Sequence, residues 1–165
     1  VREMKKAEAA LLATLTQNSP TQTHSQGSFL TQKKKLPPPV WGKIIRYFHE
    51  PSADEDTTFI NGISIQPPES SEVFAVYDGE VIYSGYMSGY GRMVVIEHDQ
   101  NYYSITSRLE DIRVLEGDVI KQGQIIGTSS DSTDLFGEGL YFEIRHGAQP
   151  ENPLEWIQPG ALVNR

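Results

Sequence analysis

The 165-residue chain contains no cysteine. That excludes a disulfide framework, a thiolate nucleophile and any cysteine-based zinc site. It has no long apolar run, so no helix of it spans a membrane. Histidine is scarce: His24, His49, His98 and His146 are the full set, and no two share a His-x-His or His-Glu-x-x-His spacing. Each reads as a structural or surface histidine. There is no Gly-x-Ser-x-Gly elbow and no phosphate loop. The chain opens at Val1 without a signal-peptide pattern, so a processed product or a fragment of a longer protein is expected.

What is present is an uneven charge. Residues 1–40 carry six Lys/Arg and two Asp/Glu, a net of +4. Residues 41–165 carry eight and twenty, a net of −12. An acidic body repels phosphate backbones, so nucleic acid is not an expected partner. The basic lead-in reads as solvated charge, Lys33, Lys34 and Lys35 included.

Residues 1–17 are rich in helix formers. Met4, Ala7, Leu11 and Leu15 fall on one helix face. The stretch is too short to be stable alone. It reads as the end of a coiled coil or as a helix that docks on the domain. Residues 18–35, polar and basic before three prolines, read as a flexible linker. From residue 36 the pattern is mainly β. Short runs such as "GISI", "EVIYSGYM", "RMVVIEHD", "NYYSITSRL" and "GLYFEIR" alternate with turn signals. "PSADEDTT" and "SSDSTDLFGEG" read as polar loops. The expected fold is a compact antiparallel β-sheet, barrel-like, over 36–158, with residues 159–165 as a tail. Trp41 and Trp156 are expected core anchors. Gly79, Gly117, Gly123 and Gly127 suit tight turns, a cadence shared with biotinyl and lipoyl carriers. Lys121 stands in the wrong context for such a carrier.

Five segments in order, "FINGISI", "VFAVYDGEVIYSG", "GYGRMVVIEHDQNYYSITSRL", "VLEGDVIKQGQIIG" and "LYFEIRHGAQPENPLEW", resemble the lysostaphin/LytM zinc-endopeptidase family. The resemblance implies that family's duplicated hybrid-motif β fold. In the family, zinc is held by the ends of a His-x-Gly-x-Asp motif and the second His of His-x-His. The matching places are Ile60, Ser64 and Tyr141. Two further family histidines fall at Arg108 and Gly139. A catalytic zinc wants about three protein ligands, and Ile, Ser and Tyr do not supply them. The resemblance therefore implies no bound metal, no cofactor and no hydrolytic activity.

Within the family the chain looks most like the EnvC-type murein hydrolase activators, which have degenerate LytM domains. Its "KKKLPPPVWGKIIRYF" and its Tyr141 resemble that branch; Asn61 departs from it, where a basic residue is usual. The branch implies a periplasmic protein that binds an N-acetylmuramoyl-L-alanine amidase through the former active-site groove and displaces the amidase's inhibitory helix. It also implies an inner-membrane ABC-type complex acting through the upstream coiled coil. The expected groove residues are Arg145, Tyr141, Arg108, Tyr103, Ile60, Ser64, Asn61 and Tyr90. The arginines offer bidentate donors, and the tyrosines offer aromatic area with a polar tip. Each has a plain alternative: Arg145 pairing with Glu143, and the strand tyrosines simply packing. Tyr90, between two glycines, is expected to be exposed. The N-terminal helix could itself fill the groove. A peptidoglycan-binding scaffold is the alternative function, and a hydrolase with unusual ligands comes after it.

Overall fold

The computed structural model describes residues 2–17, 29–50, 60–129 and 139–164. His24, residues 51–59 and 130–138, which hold most of the two polar loops, and the side chain of Met4 lie outside the described residues. One α-helix, α1 (Arg2–Gln17), precedes a short 3-10 turn (Phe29–Gln32) and eleven strands. The strands are β1 (Lys43–Arg46), β2 (Ile63–Gln66), β3 (Ser71–Phe74), β4 (Gly79–Met87), β5 (Gly91–Glu97), β6 (Tyr102–Ser107), β7 (Asp111–Ile112), β8 (Val119–Ile120), β9 (Ile125–Ser129), β10 (Leu140–His146) and β11 (Gln149–Glu151). The large sheet runs β1-β2-β10-β6-β5-β4-β8, with β11 also on β10; a small sheet runs β3-β9-β7. All these pairings are antiparallel. The expected mainly β antiparallel fold is what forms.

The period of two along each strand explains why the large sheet is buried on both faces. Val94 and Ile96 of β5, with Leu140, Phe142 and Ile144 of β10, join a core that also takes Val73, Ile120 and Ile126. Met93 and Val95 of β5, Tyr103 and Ile105 of β6 and Tyr141 of β10 point the other way. An antiparallel sheet can leave that second face wet. Here α1 covers it, with Ala7, Leu11 and Leu15 packed into the same cluster. Their spacing of four puts them on one stripe, and the sheet provides the apolar surface that a short helix needs. The helix therefore docks on the domain.

The expected division differs at both ends. Phe29, within the expected linker, is fully buried in the main core, as is Leu36. Near the C-terminus, Val163 bridges to Lys43, and Ala161 and Leu162 pack against the core. Trp156 is a core anchor, but Trp41 is 52% exposed. Trp41 sits just before β1, the strand at the end of the large sheet.

Candidate functional site

Strand β10 carries Tyr141, Glu143 and Arg145 at alternate positions, so all three side chains emerge on the α1 side. Glu143 is the hub. It accepts from Arg145 Nε at 2.7 Å, from the Tyr141 hydroxyl at 2.8 Å and from the Tyr90 hydroxyl at 3.3 Å. Both members of the Glu143–Arg145 pair are fully buried. Burial of this kind is tolerable only when the lone pairs and protons are matched. Burial pushes the Glu143 carboxyl up, while the charge and hydrogen bond of Arg145 and the bond from Tyr141 pull it down. Burial works to discharge Arg145 as well, but Glu143 outweighs it and the guanidinium stays charged. Burial, then the Glu143 charge, push Tyr90 and Tyr141 up, so both remain hydroxyl donors.

Arg145 also donates from Nη1 to the Ala148 carbonyl at 2.8 Å. The same nitrogen lies 3.6 Å from Glu8 Oε2, on α1. Among the described residues, Arg145 Nη2 is buried with no hydrogen-bond partner. The other Glu8 oxygen accepts from Asn61 Nδ2 at 2.8 Å. Glu8 therefore sits between Asn61 and Arg145, and the helix row Ala7, Leu11 and Leu15 lies alongside on Tyr141, Tyr103, Tyr90 and Ile82. Partly buried Ile60 and Leu12 flank this cluster.

The resemblance-derived positions converge here. Ser64 is paired directly with Tyr141 across β2 and β10. Arg108, in a left-handed conformation after β6, stacks its guanidinium 5.3 Å from the Tyr141 ring centre. Two glycines let the strands come together. A Cβ on Gly62 would lie 2.3 Å from the Phe142 carbonyl oxygen; one on Gly139, with φ of 64°, would lie 2.4 Å from that of Ile65. Tyr90 corrects its expectation: it is 3% exposed, drawn under the helix by Glu143 and by packing against Tyr141. Sequence reasoning named Glu143 only as a pairing partner for Arg145 and passed over Glu8. The only signal for Glu8 was its place beside Ala7 on the apolar stripe.

A zinc ion does not fit this donor set. The apolar Ile60 offers no lone pair, and the Tyr141 hydroxyl is committed to Glu143. No group of three or more His, Cys, Asp or Glu suited to a metal occurs among the described residues. What the arrangement can do is bind a helix. Tyrosine rings flank the guanidinium of Arg145 and the amide of Asn61, and both of these face the Glu8 carboxylate.

Peptidase family M23 matches residues 58–153. The chain belongs to that family. The M23 chain is 33% identical over 120 residues to the murein hydrolase activator NlpD of Escherichia coli, covering 72% of this chain and 30% of that protein. It is 35% identical over 96 residues to the murein hydrolase activator EnvC of E. coli, covering 58% of this chain and 23% of EnvC. It also superposes on a zinc-containing peptidase from Vibrio cholerae with a TM-score of 0.65 and 25% identity, covering 76% of this chain and 41% of that one. The chain thus spans a third or less of the length of these two activators. Among the described residues, no helix is long and apolar enough to cross a membrane.

Proposed function

We propose that this M23 domain is a non-catalytic activator of a periplasmic N-acetylmuramoyl-L-alanine amidase, acting in peptidoglycan remodelling at cell division. The groove over the former metal site is its partner surface, and α1 holds that groove closed. One observation carries the reading: an amphipathic helix packs into one cluster with Tyr141 and Ile60, positions to which the family resemblance assigns metal ligands. Their chemistry supports binding and gives no route to hydrolysis. The activator names of two relatives support the same direction. Release of α1 would fall to whatever lies upstream, an inner-membrane ABC-type complex in this reading. A ligand that opens the groove must bind the open state better than the closed one.

The test is amidase activity on dye-labelled sacculi, with the full chain and with a chain carrying Leu11→Asp and Leu15→Asp to unseat α1. Little release with the first protein and strong release with the second is expected. Release by either chain without amidase would overturn the reading. Binding to sacculi without any effect on amidase would favour a peptidoglycan-binding scaffold instead.

A further inference from the structure

The polar half of the groove is asymmetric. Residues 41–165 carry a net charge of −12, yet the point facing α1 is the guanidinium of Arg145 beside the amide of Asn61. Arg145 spends Nε on Glu143 and Nη1 on the Ala148 carbonyl. Its Nη2 is buried and, among the described residues, unpartnered. An orphaned donor on a buried cation is costly to leave unmade. Glu8 serves this corner incompletely: one oxygen is bonded to Asn61, but the other stops 3.6 Å from Nη1. The corner is built for a carboxylate that comes closer than Glu8 does.

We infer that the segment this groove accepts from its partner is an amphipathic helix bearing one glutamate in the place of Glu8. A small residue would precede that glutamate, as Ala7 does, and leucine-like side chains would follow it three and seven positions on, as Leu11 and Leu15 do. This inference rests on the reading of the groove as a partner site, and it names what the partner must carry. The leucine-like row supplies area on Tyr103 and Tyr141. The carboxylate supplies discrimination, because besides the bond from Asn61 it alone adds an ionic attraction to the buried Arg145 guanidinium, while a cationic side chain in that place is repelled. In an acidic domain, an acidic ligand is otherwise repelled, so this one contact selects strongly among apolar helices.

The experiment uses the whole chain with Leu11→Asp and Leu15→Asp, and near-UV circular dichroism verifies that the domain stays folded. The probes are fluorescein-labelled peptides of residues 1–17 with Glu, Gln or Lys at position 8, titrated by anisotropy. The Glu peptide should bind, the Gln peptide should bind roughly ten- to a hundredfold more weakly, as expected for a charged hydrogen bond, and the Lys peptide should not bind. Asn61→Ala and, separately, Arg145→Lys should each narrow the Glu-to-Gln gap; Asn61→Ala keeps the test alive if the arginine variant misfolds. Equal binding of Glu and Gln peptides overturns the inference. Absence of peptide binding by an opened chain that still stimulates amidase also overturns it, and leaves the activator reading standing. A Glu-selective groove on a chain that stimulates no amidase supports the inference and removes that reading.

Discussion

The N-terminal segment meets the domain in two places, and they differ in kind. Phe29 is wholly buried. It stacks on His98 at 4.6 Å and Trp156 at 4.7 Å, lies 5.2 Å from Tyr102, and meets Tyr77 edge-on at 5.7 Å. Its N–H donates to Asp99 Oδ1 at 2.9 Å. Among its described side chains, helix α1 brings the row Ala7, Leu11 and Leu15 with Leu12 beside it, and its polar contact residue Glu8 is 36% exposed. The first seat is closed around its occupant by residues distant in sequence. The second is a surface with a helix laid on it. A residue enclosed on all sides leaves only when the domain unfolds; a helix with one buried stripe can be exchanged. Phe29 therefore fixes the near end of a tether whose far end is α1. The residues between Gln17 and Phe29 span at most about 40 Å even if extended, so a released helix stays at high effective concentration over its own groove.

The sharpest way to break this contrast is Phe29→Ala. Loss of a fully buried aromatic ring should cost about 3–5 kcal/mol in urea unfolding. An effect near zero would mean that the aromatic seat is no part of the core.

Acid should act on the same seat. His98 is buried and neutral, with ring bonds to the Asp78 carbonyl at 2.7 Å and the Ser104 hydroxyl at 2.8 Å. Burial lowers its pKa from 6.5 to about 4, against the opposing pull of Asp78. Above pH 6.5 neither the folded nor the unfolded chain protonates it. Between 6.5 and 4 the unfolded chain takes up the proton and the folded one does not. Its contribution is therefore complete at pH 7 and falls as pH drops through that window, by roughly 3 kcal/mol. Unfolding followed from pH 7 to pH 4 in the native chain and in His98→Gln should show this component only in the native chain.

At the groove, Leu11→Asp should release α1 while sparing the sheet. Amide exchange of the helix should become fast, β10 amides should stay protected, and unfolding should lose only roughly 1–2 kcal/mol, within the usual range for single substitutions. Loss of protection in β10 as well would make the helix part of the core and erase the contrast with Phe29. The smallest expected effect is Asn61→Ala, which removes one hydrogen bond to Glu8 and should weaken helix docking by about 1 kcal/mol; helix exchange rates measure it. Arg145→Ala is a poorer probe, because it strands the buried Glu143 charge and confounds binding with stability.

Much of the fold was legible because the longer strands alternate or form short β-rich runs. "RMVVIEHD", "NYYSITSRL" and "GLYFEIR" became β5, β6 and β10. Strands β7, β8 and β11 were not legible, since two or three residues carry no period. The site was half legible. Family spacing located Ile60, Ser64, Arg108 and Tyr141, but not what they face. Tyr90 looked exposed between glycines, and only the Glu143 carboxylate beneath it explains its burial. Phe29 looked like linker because its neighbours are polar; four rings from elsewhere in the chain make it core.

The sequence by itself determined the mainly β domain, the lack of cysteine and of any His-x-His spacing, and the helical stripe of residues 7, 11 and 15, because periodicity and residue chemistry are local properties. Tertiary structure alone decided that this stripe lies in one cluster with Tyr103 and Tyr141, that Glu8 meets Asn61 and Arg145, and that Phe29 joins the core on the other face of the sheet. Those outcomes depend on pairings across 48 to 137 residues, from Phe29 with Tyr77 to Glu8 with Arg145. Only sheet registration brings such distant positions within bonding distance.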